Sequence, residues 1–292
     1  MATRTQWVAG ARPRTLPAAI APVMVGTGAA AGLDAASPVR ALLALVVALA
    51  LQVGVNYAND YSDGVRGTDA NRVGPLRLVG SGAARPGAVK RAAFAAFGVG
   101  AALGLVLAAT TAWWLVAVGV VCILAAWFYT GGSHPYGYLG LGEVMVFVFF
   151  GLVAVIGTAY VQSESFTLSA LYAAVGIGAL ACAILVANNL RDIPTDREVG
   201  KRTLAVVLGD ERTRGLYALL VGLALVALVA LVLATSTWAA LGALGLLVAA
   251  RAARMVLGGA RGRDLVPVLQ QTGLAELAYG AGILVGLLVA AG

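Results

Sequence analysis

Two short stretches hold most of the side chains able to do chemistry. The first, NYANDYSDGVRGTD at 56–69, offers Asn56, Asn59, Asp60, Asp63 and Asp69; the second, NNLRDIPTD at 188–196, offers Asn188, Asn189, Asp192 and Asp196. At about 100° per residue, Asn56, Asp60 and Asp63 share an arc of about 60° on one helix face. Asn188 and Asp192 are likewise one turn apart, and Asp196 follows one turn later. Pro194 is expected to kink or end that helix, so that Asp196 is presented by the turn beyond. Oxygen donors in this number, with no Cys or His among them, suit a hard cation such as Mg²⁺. That ion takes one or two carboxylates and completes its shell with water and substrate phosphate. Arg72, Arg77, Arg191, Lys201 and Arg202 stand close by in the chain and are suited to the outer oxygens of a diphosphate. The chemistry expected is metal-assisted handling of a diphosphate held between two facing clusters.

The elements that must position these clusters are written in the hydropathy. Of 292 residues, 61% are apolar and only 11% charged, far from the roughly 25% charge of soluble domains. Runs of about 20 apolar residues, the length that crosses hydrocarbon as a helix, lie near 15–33, 40–58, 91–110, 112–130, 142–161, 167–190, 214–234, 237–257 and 272–291. The fold class expected is an all-α integral membrane protein of nine spans forming one domain over 1–292, with two pseudo-repeats near 15–130 and 142–257. With nine alternating spans, all basic residues but Arg40 fall on one side. The positive-inside rule makes that side cytoplasmic, together with the N-terminus and both acidic clusters. The net charge of +7 follows from this topology and from attraction to anionic membrane lipid, and calls for no nucleic acid. Cys122 and Cys182 fall inside expected helices, where packing explains them. Trp113, Trp114 and Trp238 fall at outer helix ends, as in an interfacial aromatic belt.

The paired motifs resemble the two aspartate-rich motifs of the UbiA-type aromatic prenyltransferases. Within that superfamily the chain is similar to the 1,4-dihydroxy-2-naphthoate polyprenyltransferase branch of menaquinone biosynthesis. The stretches that carry the likeness are ARPRTLPAAIAPVMVGTG, NRVGPLRLVGSG, FYTGGSHPYGYLGLGEVMVFVFFG and the second motif itself, within about residues 11–210. The resemblance implies a helical bundle around a central cavity in the cell membrane, with Mg²⁺ and a polyprenyl diphosphate held at the cytoplasmic mouth. It implies that Asp60 and Asp63 bind metal from one side, supported by Asn56 or Asn59. Asp192 and Asp196 do so from the other, supported by Asn188 or Asn189. Many relatives have a further Asp where this chain has Gly67, and Asp69 is the next acid. Many also carry a Lys or Arg in the loop where His134 is here the one potential cation.

Other readings share some features. A sibling enzyme would use 4-hydroxybenzoate or a porphyrin-type ring as acceptor. An ion-coupled secondary transporter would favour acids near mid-bilayer, whereas here they cluster at helix ends beside Arg and Lys. Glu143 reads as dipole pairing at a helix start, and Glu276, inside the last span, has no assigned role.

Overall fold

In a computed structural model, which describes residues 2–67 and 76–292, the described chain is helical with no strand. The helices are α1 (Arg4–Gly10), α2 (Pro17–Ala31), α3 (Pro38–Arg66), α4 (Pro86–Thr110), α5 (Leu115–Phe128), α6 (Gly142–Ser163), α7 (Leu168–Glu198), α8 (Leu204–Leu208), α9 (Asp210–Ala234), α10 (Thr237–Leu257) and α11 (Leu265–Ala291). Seven of these, counting α11 from Gly262, are long and apolar enough to cross a membrane. The first and fourth expected spans form the shorter helices α2 and α5, of 15 and 14 residues. At 1.5 Å per residue each reaches about 22 Å, short of the ~30 Å of hydrocarbon. The nine-span expectation is therefore met in length at seven positions. The apolar runs overstate α2 and α5 because Leu16, Leu33, Trp113, Trp114 and Tyr129 are apolar but sit in turns at the helix ends.

Helix α7 is the centre of the bundle, packing on α2, α6, α9 and α11, and α11 in turn packs on α2. Small residues allow this closeness. A Cβ placed on Gly151 of α6 would lie 2.7 Å from the Cα of Gly178 on α7, so only glycine admits that crossing. Residues Phe147–Ile156 of α6 are wound as a π-helix.

The lengths of α3 and α7 place the acidic clusters. Each starts from a side-chain cap, Ser37 or Thr167, and each reaches its cluster, at Asn56 or Asn188, about 18–20 residues later, a rise of about 27–30 Å. Both clusters thus stand where the hydrocarbon ends, on turns that project past it. Helix α3 stops at Gly67, whose φ of 74° is left-handed. A left-handed cap favours glycine at position 67, because a β-carbon is disfavoured there. Helix α7, by contrast, continues through Pro194 to Glu198. Asp196 therefore lies on the helix, not in a turn beyond it as the proline had implied. The hydroxyl of Thr195 donates to the Asp192 carbonyl within this last turn.

Arg40, the lone cation expected on the outer side, ties the outer ends together. Its guanidinium donates to the carbonyls of Val161 and Thr110 at 2.9 Å each and lies 3.5 Å from Glu164. Trp113, Trp114 and Trp238 are all exposed, and Trp114 joins Tyr160 and Phe166 in an aromatic cluster at the same end.

Candidate functional site

Asp63 is the hub of the inner end. Its Oδ1 accepts a 2.6 Å hydrogen bond from the Tyr138 hydroxyl, and Lys201 Nζ stands 3.7 Å from the same oxygen. Arg77 stands 3.9 Å from Oδ2. These partners come from the segments after α3, between α5 and α6, and after α7. Three connections remote in sequence therefore converge on one carboxylate, whose side chain is only 4% exposed. Lys201 also lies 4.5 Å from the centroid of the Tyr138 ring, and the Arg202 amide donates to the Tyr138 carbonyl at 3.1 Å. The segment that follows the second motif is thus docked on the first motif through Tyr138.

The other acids are arranged differently. Asp60 is fully buried, and its two oxygens accept the backbone amides of Leu78 and Val79 at 2.7 and 3.0 Å. It fastens the connection after α3 and so places Arg77 beside Asp63. Charge-assisted hydrogen bonds of this kind contribute about 1.5–3 kcal/mol each. An Asp60→Ala substitution is expected to release this loop, increase its cleavage in limited proteolysis, and raise the diphosphate KM about tenfold or more.

Asp192 is held bidentately by Arg191, at 2.6 and 2.8 Å, and the same guanidinium donates to Asn188 Oδ1 at 2.8 Å. Asn189 donates to Glu143 Oε1 at 2.9 Å, tying the second motif to the start of α6. Glu143 is thus a buried partner of the motif rather than only a helix-start charge, and its main-chain carbonyl accepts the Cys182 thiol. Asn59 accepts from the Thr130 hydroxyl at 2.7 Å, and Asn56 donates to the Ala11 carbonyl and Thr15 Oγ1. Asp196 is half-buried and the Arg202 side chain is exposed. Asp69 and Arg72 lie outside the described residues.

Sequence reasoning missed two members of this site. Tyr138 stood within a stretch already notable for its resemblance, but nothing in its spacing tied it to Asp63. Arg66 donates to the carbonyls of Thr130 and Gly132 and lies 5.5 Å from the Tyr138 ring. The cation at this loop therefore arrives from the end of α3. His134 is exposed and pairs with Ser133.

Behind the hub lies a cavity of about 220 Å³ lined by α2, α3, α5 and α6. Its walls are mostly apolar, including Leu51, Met145, Phe149 and Phe150. The polar lining is concentrated in one stripe of α3, namely Gln52, Asn56 and Asn59. Asp63 continues that stripe one turn on. Tyr136 closes the cavity edge, donating to the Ala125 carbonyl at 2.7 Å, and burial raises its phenol above its ordinary pKa so that it stays neutral.

Among the described residues, no three His, Cys, Asp or Glu side chains are grouped to hold a metal by themselves. The donor set nevertheless fits Mg²⁺ arriving with a diphosphate. Buried hard carboxylates would supply part of its shell and phosphate oxygens the rest, and Arg77 and Lys201 stand beside Asp63, where they would neutralise an anion.

The sequence pattern of the UbiA prenyltransferase family matches residues 19–265, most of the chain. The chain belongs to the UbiA prenyltransferase family. Among its relatives, the 1,4-dihydroxy-2-naphthoate octaprenyltransferase of Mycobacterium tuberculosis is 58% identical over 96% of this chain and 95% of its own. The enzyme of the same name from Escherichia coli is 42% identical over 77% of this chain and 75% of its own. A solved UbiA homolog from Aeropyrum pernix has the same fold, with a TM-score of 0.73 at 18% identity over 92% of this chain and 97% of its own. A UbiA homolog from Archaeoglobus fulgidus, solved bound to GPP and Mg²⁺, has a TM-score of 0.64 at 14% identity over 95% and 99% of the two chains. As a UbiA protein with seven long apolar helices, the chain is a multi-pass membrane protein.

Proposed function

We propose that this protein transfers a polyprenyl group from its diphosphate to 1,4-dihydroxy-2-naphthoate, releasing CO₂ and giving demethylmenaquinol. The naphthoate acceptor is supported by near-full-length identity to enzymes of that name. The diphosphate chemistry is carried by one observation, the convergence of Arg77, Tyr138 and Lys201 on buried Asp63 at the head of an apolar cavity. The site faces the cytoplasm, where the positive-inside rule places its basic segments.

The reaction needs little from the chain beyond charge and shelter. Arg77, Lys201 and Arg191 grip the diphosphate while its bridging oxygen takes the electron pair of the breaking allylic C–O bond. A divalent cation, when bound with Asp63 and Asp192, supplies further positive charge to the leaving oxygens. The cavity walls keep water from the allylic cation. The ring carbon bearing the carboxylate forms the new C–C bond, and the carboxylate leaves as CO₂, returning its electron pair to the ring. Because CO₂ is lost there instead of a proton, the step requires no general base.

The test is to incubate purified protein with farnesyl or longer diphosphates and a panel of aromatic acids, then weigh the products. Only the dihydroxynaphthoate should yield a prenylated quinol lacking the carboxyl mass. EDTA should abolish the product and Mg²⁺ restore it. A prenylated 4-hydroxybenzoate as the main product would overturn the acceptor, and full turnover in EDTA would overturn the metal.

A further inference from the structure

Gln52 is buried in the wall of the cavity, with 7% of its surface exposed. Its Nε2 donates to Thr15 Oγ1 at 2.9 Å, which fixes the orientation of the amide because Thr15 spends its own proton on the Arg12 carbonyl. Its Oε1 is buried and has no hydrogen-bond partner among the described residues. The amide lies on the same α3 stripe as Asn56, Asn59 and Asp63, three turns before the last of these. A side chain in the cavity wall therefore carries a strong acceptor that is buried and, among the described residues, without a hydrogen bond, contrary to the rule for buried polar groups.

From this we infer that Gln52 recognises the aromatic acceptor, its Oε1 accepting a hydrogen bond from a ring hydroxyl. This inference rests on the acceptor reading above. A prenyl chain has no donor to offer that oxygen, and the diphosphate is all acceptors, so of the two substrates the hydroxylated ring alone can satisfy it. The hydroxyl concerned is one far from the diphosphate, since Asp63 stands at the other end of the stripe. Sites built to bond a substrate hydroxyl reject analogues lacking it far more strongly than apolar pockets reject a size change. Gln52 thereby acts as a specificity residue, and the α3 stripe runs from acceptor recognition to diphosphate binding along one helix face.

The test compares dissociation constants of 1,4-dihydroxy-2-naphthoate and of 2-naphthoate, which lacks both hydroxyls. Prenyl diphosphate is omitted so that no reaction intervenes. Wild-type protein should prefer the dihydroxy acid about tenfold or more. In Gln52→Met that preference should fall to within about twofold, through weaker binding of the dihydroxy acid with the 2-naphthoate constant nearly unchanged. Gln52→Leu serves as the second apolar replacement, and thermal unfolding confirms that each variant is folded. An equal weakening of both ligands means that Gln52 merely supports the wall and overturns the inference. So does an unaltered preference in a folded variant, or a wild-type preference near one. Failure of wild type to prenylate the dihydroxynaphthoate in the product assay is a separate result, which overturns the acceptor reading itself.

Discussion

Replacing Asp63 with Asn is expected to lower turnover about a thousandfold or more while leaving a folded protein. The side chain keeps its shape, and an amide oxygen still accepts from Tyr138, whose bond to Oδ1 is 2.6 Å. What disappears is the negative charge that Arg77 and Lys201 face and a hard ligand for a divalent cation. Loss of a ligand that would hold a cation against the leaving group falls on kcat more than on KM, because that group becomes more negative only as the C–O bond breaks. The stability loss should be modest. Arg77 and Lys201 are long side chains at the end of the bundle, able to carry their charged heads outward to water once unpaired. Steady-state kinetics beside a thermal melt separates the two effects. A kcat within tenfold of wild type in a folded Asp63→Asn protein would remove Asp63 from the chemistry.

Asp192→Asn is the second large effect, and it acts through geometry as well as charge. Asp192 and Arg191 form a two-point contact, and their side chains are each 6% exposed. Bidentate pairs of this kind fix the plane of the guanidinium. An asparagine accepts at one point, so Arg191 retains its bond to Asn188 but loses its orientation. We expect turnover to fall about a hundredfold or more and the diphosphate KM to rise together with it. That rise in KM distinguishes the role proposed for Asp192, aiming a cation at the diphosphate, from that of Asp63. Unchanged KM in Asp192→Asn would show that Arg191 does not meet the diphosphate.

The parts of this site that could be read in advance are those that depend on spacing along a single helix. The stripe of Asn56 and Asp63 follows from the 3.6-residue repeat, and the heights of the two clusters follow from how far each lies past its capped start. Contacts between connections carry no such periodicity. Tyr138 reaches Asp63, and Arg66 reaches Thr130 and Gly132, only because the bundle brings those connections to one end. The role of Asp60 was hidden for the same reason. Its face on α3 was readable, but its engagement with the Leu78 and Val79 amides depends on how the following loop folds back. Gln52 carried a signal that passed unused, a polar side chain one turn before Asn56 within an apolar run. Hydropathy marks the apolar stretches but not where a helix begins, so α2 and α5 came out shorter than their runs. Pro194 misled because a proline's missing amide costs one hydrogen bond, and α7 runs on through it to Glu198.

At the heart of the proposed mechanism is the joint hold of the α3 and α7 ends on a divalent cation and a diphosphate. It is tested most directly by a structure of the protein with Mn²⁺ and a non-hydrolysable polyprenyl diphosphate analogue, read by the anomalous signal of the metal. Manganese density is expected between the two helix ends, bonded to carboxylate oxygens of Asp63 and Asp192 and to the phosphates, with Arg77 and Lys201 on the outer oxygens. Density ligated by neither aspartate, or a diphosphate bound elsewhere in the bundle, would contradict it.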